Sequence, residues 1–311
     1  MIMGKIVLYY KYVEIKYPKQ LLKWQQKICT ELALTGRIII GHEGINGTVG
    51  GSDVSIERYK GIMRAAPLFT DLDFKTSDGD ASCFPRLQIK VRDEIVRFGI
   101  DPTIIKAQDG GIHLKPEKVH ALMNNPSQDL LILDARNKCE SDIGAFEGAI
   151  KPNITHFRDL PAYIDQNVDL FKNKEVIMYC TGGIRCERAS AYLKNKGVAK
   201  TVYQLEGGIH HYIEQFPDGH FKGKNYVFDA RIAVKANDQL LGLCALCQSP
   251  FDEYTNCLNA VCNRHFICCS SCKNQYSNTC SIECQSLVNS RQVNIRPPLQ
   301  TVRSSSPSTS E

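Results

Sequence analysis

Residues 176–197 read VIMYCTGGIRCERASAYLKNKG: an apolar run, a cysteine, two glycines, an arginine and a second cysteine that opens a helical pattern. VIMY is short, apolar and partly β-branched, as a buried strand is. CERASAYLKNKG carries helical periodicity and closes on Lys194, Lys196 and Gly197, a normal helix C-terminus. Cys180 therefore stands at the carboxyl end of a strand. In the loop Thr181, Gly182, Gly183, Ile184 that follows, backbone N–H groups and the positive end of the next helix converge on one small space. The thiolate, not the thiol, is the nucleophile, so such a cradle together with the Arg185 guanidinium is expected to lower the Cys180 pKa and activate it. A cysteine after an apolar run is more commonly a small buried hydrophobe. Here strand, Gly-Gly and arginine coincide at the spacing of an anion-binding loop, which favours the reactive reading. Cys186, on the first helical turn, either packs inward or meets Cys180 as a resolving thiol; Cys29, Cys83 and Cys139 have no partner spacing and read as structural.

The other cysteines impose a second constraint. Of fourteen, five lie before residue 244 and nine crowd between Cys244 and Cys284. With no apolar stretch of membrane-spanning length and no leader-like start, a cytoplasmic chain is expected, where cysteines serve metals and catalysis rather than disulfides. Cys244 and Cys247, Cys257 and Cys262, Cys269 and Cys272, and Cys280 and Cys284 make four thiol pairs, enough for two closed, tetrahedral structural zinc sites. A loop-rich segment of this size has little core, so metal would fold it. Which pairs share an ion is left open; one arrangement crosses them, Cys244, Cys247, Cys269 and Cys272 against Cys257, Cys262, Cys280 and Cys284. Cys268 and His265 are left over; His265 is a candidate substitute ligand but reads more readily as a surface residue.

The N-terminal third is another kind of unit. KIVLYYKYVEI reads as a strand, YPKQLLKWQQKICTELAL as an amphipathic helix, GRIIIGHEGINGTVGG as two strands, SDVSIERYKGIMRAAPLF as a capped helix and LQIKVRDEIVRFG as a late strand. This is the split βαβ order of a ferredoxin- or acylphosphatase-like α+β sandwich. Residues 1–64 hold ten Lys or Arg against five Asp or Glu, an excess equal to the whole chain's net +5. Lys16, Lys19, Lys23 and Lys27 recur at helical spacing and would display a positive stripe toward phosphodiesters, or simply a solvated face. GHEGINGTVGG, five glycines with Glu43, Asn46 and Thr48 among them, implies a tight hairpin with close backbone approach and makes Glu43 and Asn46 candidate RNA contacts.

Two resemblances rest on these motifs. The C-x4-R loop, one residue shorter than the related phosphatase loop, and the upstream LLILDARNKCESDIGAFEGAI resemble the rhodanese family, whose D-x-R, acidic and glycine positions fall on Asp134, Arg136, Glu140 and Gly148. A histidine common in that family is replaced by Ala145, so its role is not carried over. More narrowly, EGINGT, MYCTGGIRCE, VYQLEGGI and GKNYVFDAR, in that order across about residues 5–231, resemble the tRNA uridine hydroxylase family. The resemblance implies a rhodanese α/β domain with a parallel sheet, tRNA as partner, and hydroxylation of the wobble uridine to 5-hydroxyuridine with molecular oxygen as co-substrate. It carries the active-site cysteine onto Cys180.

The chain has no Rossmann glycine fingerprint, so no flavin or nicotinamide is expected, and no facial triad for iron. Neither DNA nor membrane is an expected partner. A sulfurtransferase carrying a persulfide on Cys180 is the alternative enzyme, and a zinc-dependent binding module with a vestigial loop the third reading. The organisation expected is a basic α+β domain over 1–100, a linker over 101–123, the rhodanese domain over 124–220, a crossing segment over 221–243, a zinc module over 244–288 and a disordered Ser/Pro-rich tail over 289–311. In the crossing segment Lys222, Lys224 and Arg231 are expected to bring positive charge to the Cys180 loop.

Overall fold

The first strand, β1 (Gly4–Tyr12), is apolar on both faces. Successive side chains alternate across a strand, so Val7 and Tyr9 share one face and Ile6, Leu8 and Tyr10 the other, and both faces must be covered. The computed structural model, which describes residues 4–296, covers the first face with α1 (Pro18–Glu31) and α2 (Asp53–Ala65), the latter capped by the Ser52 hydroxyl, which accepts the Ser55 N–H at 3.2 Å. Val7, Tyr9, Ile28, Cys29, Ile56 and Met63 are buried there together. β2 (Thr35–Gly41) and β3 (Gly44–Ser52) form the glycine-rich hairpin.

With β4 (Phe74–Asp78) and β5 (Leu87–Val91) the sheet runs β4-β1-β3-β2-β5, antiparallel except for β5 beside β2. The split βαβ order holds, but its last strand is Phe74–Asp78, not the late strand marked in the sequence. FKTSD hides from a hydrophobic pattern because its buried Lys75 stands where an apolar residue would, its ammonium 2.6 Å from Asp73. LQIKV is a fifth strand added at the opposite edge.

The central unit contains β6 (Ile112–Leu114), α3 (Pro116–Asn124), β7 (Leu130–Asp134), α4 (Lys138–Ser141), β8 (Gly144–Phe146), α5 (Leu160–Gln166), β9 (Glu175–Tyr179), α6 (Ile184–Asn195), β10 (Thr201–Leu205) and α7 (Gly208–Gln215). Its sheet, β6-β10-β9-β7, is wholly parallel. β9 is buried on both sides, as parallel strands are: Val176 and Met178 pack with Leu160, Ala189 and Leu193, while Ile177 and Tyr179 pack with Val119, Ile209 and Tyr212. β6 and α3 lie inside the stretch read as linker and belong to this unit, β6 completing the sheet beside β10.

β11 (Phe221–Tyr226) then pairs with β8 and with β12 (Ala233–Lys235). The cysteine-rich end contains β13 (Tyr254–Asn256), β14 (His265–Ile267), α8 (Ser270–Gln275) and α9 (Ile282–Asn289). It is docked on the back of α4: the Tyr254 hydroxyl donates to the Cys139 carbonyl at 2.8 Å, and Tyr226, Tyr254, Ile143 and Ile267 are buried as one cluster. His265 is not a surface residue; its ring stacks on Tyr254, centroids 4.3 Å apart. Residues 289–296, read as the start of a disordered tail, belong to the folded module. Ala260 N–H donates to Asn294 at 3.0 Å and Arg296 N–H to Leu258 at 2.8 Å, so backbone groups up to Arg296 are tied into the module. The rest of the expected tail, 297–311, lies outside the described residues. No helix among the described residues is long and apolar enough to cross a membrane.

Candidate active site

β9 delivers Cys180 to the carboxyl edge of the parallel sheet, fully buried, and its Sγ accepts the Gly183 N–H at 3.2 Å. Gly183 has φ +103°, and a Cβ there would meet the Tyr10 hydroxyl at 2.7 Å; one on Gly182 would meet Leu8 at the same distance. The two glycines therefore serve a close approach: β1 lies on the loop. From the other side the first turn of α7 grips it, Ile209 N–H donating to Cys180 O at 3.0 Å and His210 N–H to Thr181 O at 3.2 Å. Gly208, at φ +65°, sits where a Cβ would be 2.5 Å from the Cys180 carbonyl.

Arg185 does not swing freely beside the sulfur. Its guanidinium is bidentate on Glu140, at 2.6 and 2.7 Å, and donates to Thr181 Oγ1 at 3.1 Å, while the Thr181 hydroxyl donates to Glu140 at 3.1 Å. Burial pushes the Glu140 carboxyl up, but Arg185 outweighs it and holds it ionised. Asp134 and Arg136 form a second bidentate pair, at 2.9 and 2.7 Å, to which the Tyr179 hydroxyl adds a bond at 2.7 Å and the Gly144 carbonyl another at 2.6 Å. That pair has no exposed surface and locks β7, β8 and β9 beneath the loop.

The Cys180 thiol comes down to about 5. Burial opposes this; a hydrogen bond from Cys186, the Arg185 charge and the N–H groups of Arg185 and Cys186 prevail. Cys186 moves the other way, well above its ordinary value, because it is buried and donates to Cys180. The pair is thus one thiolate and one thiol. Cys186 packs inward and its thiol donates to Cys180.

Cys180, Thr181, Arg185 and His210 lie at the foot of a cleft of about 600 Å³. Its far wall is the second face of the N-terminal sheet, with Ile6, Leu8 and Ile39; Val96 and Phe157 continue it, and the exposed Arg37, Arg97 and Arg158 stand at its mouth. Val227, Phe228 and Arg231 close one side, so the segment after β11 does return to the site. It does not bring free positive charge. Arg231 is bound to Asp229, Ser77 and the Asp78 carbonyl, Lys222 to Glu147 at 3.7 Å and Lys224 to Asp252 at 2.8 Å; neither lysine lines the cleft.

The candidate RNA contacts scatter. Asn46 lines the cleft and donates to the Ile95 carbonyl at 2.9 Å. Glu43 instead accepts the Ile95 N–H at 2.7 Å and pairs with Arg188 at 3.1 Å, tying the N-terminal unit to α6. Lys16, Lys19, Lys23 and Lys27 are exposed on or beside α1, over the other face of the sheet, and none lines the cleft. His210, Arg37, Arg97 and Arg158 were not marked from the sequence. The available signal was in β1: a strand apolar on both faces announces that something packs on the second one.

In the C-terminal module the crossed arrangement is found. Cys244, Cys247, Cys269 and Cys272 form one group and Cys257, Cys262, Cys280 and Cys284 another, the ligand atoms of each lying within 4.8 Å of one another. Both sets could hold a metal ion. Amide hydrogens already point at sulfur, Cys269 N–H at Cys244 and the Asn259 side chain at Cys284. Cys268 is buried outside both groups, and so is Cys180.

Residues 4–95 match the family model of the UPF0176 acylphosphatase like domain, 115–215 that of the rhodanese-like domain and 222–285 that of the rhodanase C-terminal region. Fold and site thus define a rhodanese-domain protein with an acylphosphatase-like domain laid over its reactive loop. A protein of Aster yellows witches'-broom phytoplasma named tRNA uridine(34) hydroxylase is 41% identical, over 90% of this chain and 91% of its own. Proteins of the same name from Corynebacterium urealyticum and Bacillus velezensis are 40% and 37% identical, over 90% of this chain and 97% and 88% of theirs. The chain belongs to the tRNA uridine(34) hydroxylase family.

Proposed function

We propose that this protein hydroxylates C5 of the uridine at the wobble position of tRNA, with molecular oxygen as co-substrate and Cys180 as the reacting group. The observation that carries this reading is the likeness to proteins of that name along nearly the whole chain. The Cys180 cradle supports it chemically. Uracil is electron-poor at C6; a thiolate adding there breaks the C5–C6 double bond and leaves the electron pair on C5, the carbon to be oxidised. Molecular oxygen takes up that pair as a C5 hydroperoxide; an external two-electron reductant then cleaves the O–O bond, one oxygen leaving as water and the other staying as the C5 hydroxyl, and loss of the C5 proton with departure of the thiolate from C6 restores the ring. In this scheme Cys186 keeps its proton and stabilises the departing thiolate, Arg185 holds the field, and Glu140 and Thr181 fix Arg185. Asp134 and Arg136 act at one remove, by fixing the strand edge from which Cys180 projects.

Zinc is the metal that the two all-cysteine groups fit: four soft thiolate donors and no open position are the features of a structural zinc centre. Metal bound there would fold the module and takes no part in the step at Cys180. The cytoplasm, where tRNA and reduced thiols are found, is the compartment in which we place the protein. The sulfurtransferase alternative draws on the loop alone, since a small ring of N–H donors also suits the terminal sulfur of a persulfide. Nucleoside mass spectrometry of tRNA from a deletion strain separates the two. Loss of 5-hydroxyuridine supports the hydroxylase; loss of a thiouridine with 5-hydroxyuridine intact overturns it in favour of sulfur transfer.

A further inference from the structure

The cleft mouth carries charge that the protein itself does not use. Arg37 comes from β2, Arg97 from the segment after β5 and Arg158 from just before α5, yet all three converge on one opening. Among the described residues no carboxylate lies within ion-pair distance of Arg37 or Arg97, and Arg158 has only Asp159 at 3.9 Å. Arg185, Arg231 and Arg188, by contrast, are each held by buried or half-buried carboxylates. Unpaired guanidinium groups present forks of N–H donors that match phosphate oxygens.

The same cleft has apolar walls of Ile6, Leu8, Ile39 and Val96, which suit the faces of a base, and His210 lines it with them. That side chain is 8% exposed, lines the cleft, and has no hydrogen-bond partner for its ring among the described residues. With no such partner, the ring is left to bond whatever enters the cleft, solvent or a ligand. Burial first, then Lys75 and Arg231, hold its pKa down at about 4, so the ring is neutral, with one donor and one acceptor nitrogen. An amide edge with a carbonyl beside an N–H, as uracil has, meets both. A volume of about 600 Å³ admits a single nucleotide rather than a duplex, and enzymes that act on a base take it out of the stack.

We propose that Arg37, Arg97 and Arg158 hold the phosphodiesters flanking one everted nucleotide of a single-stranded RNA loop, whose base passes between them to meet His210. The α1 lysines lie on the far side of the sheet and serve elsewhere. The inference rests on the reading of tRNA as substrate and assigns the surface that grips it.

The test uses the full-length, metal-loaded protein and a transcribed, unmodified tRNA with a wobble uridine. Replacing Arg37, Arg97 and Arg158 by Gln should weaken binding at least tenfold near physiological salt and lower the slope of log affinity against log salt by about two, the share of three phosphate contacts to a single strand. His210→Ala should leave that slope intact but abolish any preference for the wobble-uridine tRNA over the same tRNA made abasic there. Replacement of Lys16, Lys19, Lys23 and Lys27 by Gln is the comparison. A larger loss there than at the rim, or a wild-type slope in the arginine variant, overturns the proposal even if 5-hydroxyuridine still forms. If instead the rim and His210 variants behave as stated but the wild type makes no 5-hydroxyuridine, the hydroxylase reading falls and the RNA cleft stands.

Discussion

A buried thiolate is normally unfavourable, and Cys180 is stabilised only because its neighbours are arranged around a charge. Iodoacetamide modification of the Cys180 peptide, followed by mass spectrometry against pH, should give a rate that rises through about pH 5 and is level above it, since the reactive form is the deprotonated one. A midpoint near the ordinary thiol value would contradict the account. Cys186→Ala removes one donor and should move the midpoint upward. Cys180→Ser should leave the fold intact and abolish 5-hydroxyuridine formation, because a serine hydroxyl does not ionise in this range. Glu140→Gln is the harsher change. It leaves the buried Arg185 charge uncompensated, a situation that costs about 3–5 kcal/mol, and should appear as a large fall in melting temperature.

At the scale of elements, the site exists because β1 lies on the Cys180 loop. Gly183→Ala should destabilise the protein by about 1–3 kcal/mol, from a positive φ unsuited to alanine and from collision with the Tyr10 hydroxyl. In a Tyr10→Phe background the collision is relieved, so the double variant should lose less than the sum of the singles; strict additivity in a thermal-melt cycle would show that β1 does not press on the loop. The same contact explains what could be read in advance. The strand, loop and helix around Cys180 and the eight cysteines of the two metal groups are local patterns, and each survived into the structure with its residues together. The cleft was not legible, because Arg37, Arg97, Arg158 and His210 come from four separate segments and meet only through tertiary packing. β4 is hidden because Lys75 is buried in it, and a polar residue in a glycine-rich hairpin, as Glu43 is, gives no sign that it has a partner, Arg188, on α6.

At the scale of the molecule, the cysteine-rich module packs on the helix that carries Glu140. Two zinc ions per chain are expected by elemental analysis; fewer than one would refute the structural-zinc reading. A chain cut after Arg231 loses β12 and the Tyr254–Cys139 bond as well as the metal groups, so packing behind α4 is removed from the Arg185 anchor. The truncated protein should remain folded on its two large cores, with the midpoint of Cys180 alkylation displaced upward, whereas an unchanged midpoint would mean that the module is a separate appendage. The central claim is narrower than any of these, that Cys180 in its cleft activates a tRNA uridine for hydroxylation by oxygen. The measurement that meets it most directly is nucleoside mass spectrometry of an unmodified wobble-uridine tRNA incubated with the purified full-length protein and a two-electron reductant such as a small dithiol, with and without oxygen, beside Cys180→Ser. The account predicts 5-hydroxyuridine only with oxygen and intact Cys180; its formation by Cys180→Ser, or a thiolated nucleoside in its place, would contradict it.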